Sequence, residues 1–283
     1  MERGEALARI AAEAEGGELV FPTHAEVALR VRLALEDPDL HIETAVRAVQ
    51  AEPLLASRVV ALANSVVFNR AGHAIADVRS AVSLLGFQLI RSLATALIMR
   101  QMVGAASSPE AQQLAQRLWQ HSVEVGALAH VLAARCGLRN PDVALFAGIV
   151  HEVGGFYLIS RAGAYPGLLW QERAPAWTGV EQMAIRRAVL RALRVPAEAI
   201  SAIEGQWWTA PALPALPAHF PAMTLADILL LAHGLSPVEN PLLLADGAEM
   251  SAAAREQIAA TPLAAVLEES AAEIESLSAA LRF

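Results

Sequence analysis

In the run Leu145-Phe146-Ala147-Gly148-Ile149-Val150-His151-Glu152-Val153-Gly154-Gly155, an apolar helical stretch delivers a histidine and a carboxylate side by side, and two glycines then break it. Imidazole and carboxylate together can hold a hard or borderline divalent cation, which polarises a phosphate and lowers the pKa of a bound water. The same pair also suits a purely structural role, because buried polar groups need partners whatever their chemistry. A second candidate is the arginine set Arg186, Arg187, Arg191 and Arg194, which puts several cations on one helix. It reads either as a solvated face or as a phosphate or partner contact led by Arg186 and Arg187. Asp227 sits in an apolar segment, Leu225-Ala226-Asp227-Ile228-Leu229, so it is expected to face a polar pocket or a basic partner. His121 on its own reads as a packed or capping histidine. His24, His41, His73, His130, His219 and His233 show no ligand spacing among themselves and read as structural or exposed.

The elements that must position these groups are helical. Residues 2–14 form an amphipathic stretch ended by Gly16-Gly17, and Val27, Val31 and Leu35 recur at four-residue spacing in a helix over about 24–36. A helix over about 42–50 stops before Pro53, since a residue preceding proline is pushed from helical angles. Leu55, Val59, Leu62 and Val66 then line one face, with Asn64-Ser65 set to tie down its end. Asp77 is a good N-cap for a single helix running to about Met102. Ser108-Pro109-Glu110 and Asn140-Pro141-Asp142 each combine a cap, a proline at the first helical position and an acid in the first turn. The first of these helices ends near Cys136-Gly137; the second carries His151-Glu152. Further helices are expected over about 178–193, up to Trp207-Trp208, from Met223 to His233 and from Ser251 to Leu281. Pro211, Pro214, Pro217 and Pro221 suit an extended connector. Gly104 to Ser108 is the best boundary, separating residues 1–105 from 106–283.

Composition narrows the possibilities. The chain has 283 residues, 55% hydrophobic but only 5% aromatic, which favours packed Ala-, Leu- and Val-rich helices: the fold class is all-α. A formal charge of −8, with 21 scattered basic residues, excludes a duplex-binding surface as the main one, since neutralising phosphates needs clustered cations. The single cysteine, Cys136, can neither pair internally nor anchor a zinc cluster, and reads as a small apolar filler. No window of ~18 uncharged apolar residues is seen, and the N-terminus lacks a signal-peptide pattern. The expectation is a cytoplasmic protein without membrane or nucleic-acid contacts.

Two segments together resemble a known family. Leu54-Leu55-Ala56-Ser57-Arg58-Val59-Val60-Ala61-Leu62-Ala63-Asn64-Ser65, followed by Ile75 to Gly86, resembles the signature of the HDOD domain, an HD-related output domain of bacterial signalling proteins. Trp119-Gln120-His121-Ser122 and the His151-Glu152 stretch fall where that family keeps its HD-like elements, and the resemblance spans residues 18–235. It implies an HD-domain-like multi-helical fold, an N-terminal helical bundle on an HD-like domain, with a role usually regulatory. The parent HD phosphohydrolases arrange a distant His, a His-Asp pair and a final Asp around a divalent metal. Carried over, these positions are His121, His151, Glu152 and Asp227. Glu152 is longer than the family's Asp by one methylene, and a displacement near 1 Å can cost ~100-fold in rate.

The departures weigh more. Catalytic relatives often continue with Gly-Lys, where this chain has Gly154-Gly155; a later His is expected near Gln182 and a His pair near Gln206-Trp207. The Trp207-Trp208 pair is expected to fill the volume those ligands vacated. Hence the four positions are expected to be vestigial, with no catalytic residue, resident metal or cofactor. The leading expectation is a non-catalytic signalling module whose partners are bacterial regulatory or signalling proteins. One alternative is a metal-dependent phosphohydrolase of nucleotides or cyclic dinucleotides, using Mn, Fe, Mg or Zn. Another is a nucleotide-binding sensor without turnover that uses the arginine-bearing helix.

Overall fold

The computed structural model describes residues 3–22, 25–106, 108–165, 168–169, 179–208, 223–242, 255–256, 258–259 and 261–282, with the side chains of 206–208 left aside. His24, His219, the proline-rich connector and the two tryptophan side chains therefore lie outside the described residues. Every regular element among the described residues is an α-helix. The first part holds α1 (Arg3–Glu15), α2 (Ala25–Ala34), α3 (Ile42–Gln50), α4 (Pro53–Ala63) and α5 (Val78–Gly104). The second holds α6 (Pro109–Arg135), α7 (Pro141–Val150), α8 (Val153–Arg161), α9 (Val180–Ala192), α10 (Ala197–Trp208), α11 (Leu225–Leu235), α12 (Leu263–Glu269) and α13 (Ala271–Leu281).

Local chemistry sets most boundaries. The carboxylate of Asp77 accepts from the Ser80 amide and the Ser108 hydroxyl from the Ala111 amide, answering orphan donors at the starts of α5 and α6. Gly137, at φ +74°, closes α6 in the left-handed region that glycine enters at little cost. The expected single helix after Asp77 is broken instead: Gly86 adopts φ 74°, ψ 164°, so α5 is two segments meeting at a kink. Val66 is also not part of the buried face of α4; that helix ends at Ala63, and Val66 is 53% exposed. Asn64 does tie down the helix end, donating to the Val60 and Ile75 carbonyls and accepting from the Ile75 amide.

Packing interleaves the two parts of the chain. Helix α1 lies on α9, and its Glu13 also meets Arg161 at the end of α8 at 2.8 Å and Tyr165 just beyond it at 2.7 Å. Among the described residues the C-terminal stretch is not one helix, since it breaks at Ser270 between α12 and α13, and α13 docks on α6 and α4 of the same chain. Ser278 and Arg282 both donate to the carboxylate of Glu124, at 3.1 and 2.8 Å. Two stretches, Val78–Gly104 and Pro141–Arg161, are long and apolar enough to cross a membrane, but 67% and 89% of their most apolar windows are buried inside this fold. Core packing accounts for that apolarity.

The tightest contact is between α6 and α7. A Cβ on Gly148 would lie 2.6 Å from Gly126 Cα, and one on Gly126 3.2 Å from the Leu145 carbonyl oxygen. Two glycines thus let the helix backbones touch, at a density that leaves no room for a methyl group. The close crossing sits five residues after His121 and three before His151, and so draws these two histidines together.

Candidate metal centre

His121 projects from α6, His151 follows the last residue of α7, and His233 lies in the last turn of α11. Their rings form an edge-on triangle, with centroid separations of 4.7 Å (His121–His233), 5.4 Å (His121–His151) and 5.5 Å (His151–His233). One nitrogen from each ring lies within 4.8 Å of the other two. All three side chains are buried. Nδ1 of His121 donates to the Val238 carbonyl and Nδ1 of His151 to the Gly148 carbonyl, both at 2.6 Å. A carbonyl only accepts, so each Nδ1 carries the proton and each Nε2 presents a lone pair. Those two Nε2 atoms are buried without a hydrogen-bond partner.

Burial keeps the cluster neutral. It pushes His121 down to about 4, helped by the neighbouring His151. Burial likewise lowers His151, and drives His233 well below the usual imidazole value, with His121, His151 and Arg186 adding repulsion. Neutral imidazoles with free lone pairs, held by backbone acceptors on the other nitrogen, are the arrangement found around bound metals.

Glu152 does not join the donor set. One of its oxygens takes the Arg186 guanidinium at 3.1 Å, and the other accepts from the Asn240 amide at 2.8 Å. Burial pushes its carboxyl up, but Arg186, His151 and Asn240 outweigh that and hold it below the usual carboxylate range. Gly154 makes the pairing possible: a Cβ there would overlap the Arg186 side chain and stand 3.0 Å from its Cα. A cation thus reaches the His-Glu pair from α9, against Gly154, one residue before the glycine that stands in the lysine's place. The next residue, Gly155, gives room to Leu242, whose amide bonds Asn240 in turn.

The expected site residues separate. His121, His151 and Glu152 come together, but Asp227 does not join them. It is the third residue of α11 and forms a capping box with Thr224, whose amide and hydroxyl donate to its carboxylate at 2.8 and 2.7 Å. The position expected of Asp227 falls to His233. Arg186 is buried against Glu152, not on a solvated or phosphate-contacting face, and Arg187 pairs with Glu204 at 2.6 Å. Gln182, standing where a histidine is expected in catalytic relatives, is buried on α9. Asn240 escaped sequence reasoning altogether. Thr224-Leu225-Ala226-Asp227 spells out a cap, a usable signal that Asp227 serves the helix start.

A metal implied by the resemblance to HD phosphohydrolases can be tested against these residues. Three imidazole nitrogens suit zinc or a late first-row divalent ion; magnesium, which prefers oxygen donors, would find no unpaired carboxylate in the cluster. His121, His151 and His233 would be the ligands.

Comparison with known proteins follows the same lines. The chain superposes on a Shewanella amazonensis protein whose name suggests a metal-dependent phosphohydrolase, with TM-score 0.70 and 21% identity over 99% of both chains. It also superposes on an HDOD domain protein of unknown function from Geobacter sulfurreducens, with TM-score 0.59 and 20% identity over 99% of both chains. A second Shewanella amazonensis protein, named in similar terms as a phosphohydrolase, gives TM-score 0.60 at 18% identity over 96% of this chain and 98% of that one. At such identities the likeness shows the fold alone. Among curated proteins, none matches the chain. The sequence profile of the HDOD domain matches residues 21–204, and on that match the chain belongs to the HDOD family.

Proposed function

We propose that this chain is a non-catalytic HDOD-type signalling module, which passes a regulatory input to bacterial regulatory proteins through protein–protein contacts in the cytoplasm. The observation that supports it is the state of Glu152. In HD-type chemistry the acid beside the histidine serves the metal; here both its oxygens are taken by Arg186 and Asn240 in a buried network. Releasing that carboxylate would break a buried ion pair, at a cost of about 3–5 kcal/mol. The test is turnover of nucleotides and cyclic dinucleotides by the purified chain with Mg, Mn, Fe or Zn. The expected result is none above buffer with any ion.

One observation favours a second reading, a metal-dependent HD-type phosphohydrolase: the converging, unpartnered nitrogens of His121 and His151 beside His233. A cation held there would polarise a phosphate and lower the pKa of a bound water. In this reading the histidines bind, Arg186 orients Glu152, and the 236–242 segment that carries Val238 and Asn240 shields the centre from water. Its mark would be turnover that rises with zinc or manganese and disappears in His151→Ala.

A further inference from the structure

A second concentration of charge lies where α2, α5, α7 and the α9–α10 turn meet. Arg32, Arg91 and Arg194 line a cavity of about 340 Å³ there, with Phe146 and Pro196 as apolar wall and Glu36 as the one carboxylate among its lining residues. Three guanidiniums facing one carboxylate leave two positive charges unanswered, in a chain whose formal charge is −8.

The guanidiniums are held in place. Arg32, only 3% exposed, donates to Glu36 at 2.8 Å and to the Arg194 carbonyl at 2.7 Å, while its buried Nε has no partner. Arg91 donates through one nitrogen to the Leu35 carbonyl at 2.7 Å, just past the end of α2. Arg194 takes a positive φ of 49° in the turn after α9 and reaches the other Glu36 oxygen at 3.4 Å, its side chain 65% exposed. Helix capping explains one bond from each of two arginines; it does not explain bringing a third cation up to them. The crowding is felt: burial chiefly, and then Arg91 and Arg194, lower the Arg32 pKa against the pull of Glu36.

We propose that this cavity binds a small soluble molecule bearing a phosphate group, its phosphate against Arg91 and Arg194 and its remainder against Phe146 and Pro196. Two surplus charges match a phosphate near its dianionic form better than a single carboxylate, and guanidinium forks fit phosphate oxygens in pairs. The volume falls at the small end of the range for small-molecule sites. Binding here would join α2 and α5 to α7, whose Phe146 lies five residues before His151. The proposal supplies an input for a signalling module, and it stands whether or not the chain signals.

Isothermal titration of the full chain with inorganic phosphate and with AMP, in metal-free buffer at fixed ionic strength, tests it. Wild type is compared with Arg194→Gln, Arg91→Gln and the control Arg187→Gln, which lies outside the cavity lining. Saturable binding of both probes is expected, tighter for AMP, weakened about tenfold or more in the first two variants and unchanged in the control. Arg194 is largely exposed, so its variant keeps the fold, which circular dichroism checks. No saturable binding by wild type, or binding undiminished in Arg194→Gln and Arg91→Gln, would overturn the proposal. So would binding to phosphatidic acid vesicles without binding of either soluble probe.

Discussion

The histidine cluster and the arginine cavity solve opposite electrostatic problems. In the first, ionised groups are sealed from water and answered internally: Glu152 against Arg186 and Asn240, with three imidazoles kept neutral by burial. In the second, cations are crowded together at an open cavity and only one carboxylate answers them. A buried, balanced centre is suited to holding structure, because changing any one charge leaves another stranded. An open, unbalanced one is suited to meeting a ligand, because the ligand completes it.

The contrast can be broken in several ways. The largest expected effect is Arg186→Ala, which takes the cation from the buried Glu152 carboxylate and leaves it the hydrogen bond from the neutral Asn240 amide; chemical denaturation should show a loss of about 3–5 kcal/mol. Replacing both members of the pair with apolar residues should recover much of that. Next comes pH. His121 has a folded pKa below the unfolded value, so its contribution to stability is full above pH 6.5 and falls as the pH drops toward about 4, and burial shifts His151 and His233 in the same direction. Glu152, also depressed, is lost in the same direction at still lower pH. Metal-free protein should therefore lose on the order of 3 kcal/mol for His121 alone across that window, and a flat stability profile from pH 7 to 4 would contradict a buried neutral cluster. Gly148→Ala must force α6 from α7 and should cost about 1–3 kcal/mol, with the histidine resonances shifting because the crossing aligns them. Asp227→Ala should cost about 1 kcal/mol through the lost cap and leave the histidine resonances where they were. Smallest is Arg194→Gln, within about 0.5 kcal/mol in stability, while the phosphate affinity of the cavity drops.

Much of the fold is written locally. Asp77 and Ser108 announce helices by caps that form as expected, and α7 starts at Pro141 as expected, though Asn140 makes no side-chain cap bond. The resemblance carried His121 and His151 to one place because they flank a crossing that two glycines fix. What could not be read was set by contacts distant in sequence. Asn240 meets Glu152 across 88 residues and Arg186 meets it across 34; neither pairing leaves a periodic trace. The Gly86 break was misread for another reason: its neighbours are good helix formers, and only its backbone angle reveals the kink. Asp227 is engaged in the cap at the start of α11, while His233 at the other end of that helix meets the other two histidines.

Glu152, held by Arg186 and Asn240, is locked away from a metal at the histidines. The most direct test loads the purified chain with zinc or manganese, measures bound metal by elemental analysis, and assays hydrolysis of nucleotides and cyclic dinucleotides per bound ion. The prediction is no turnover above buffer at any metal occupancy. Turnover that scales with bound metal and vanishes in His151→Ala would contradict it.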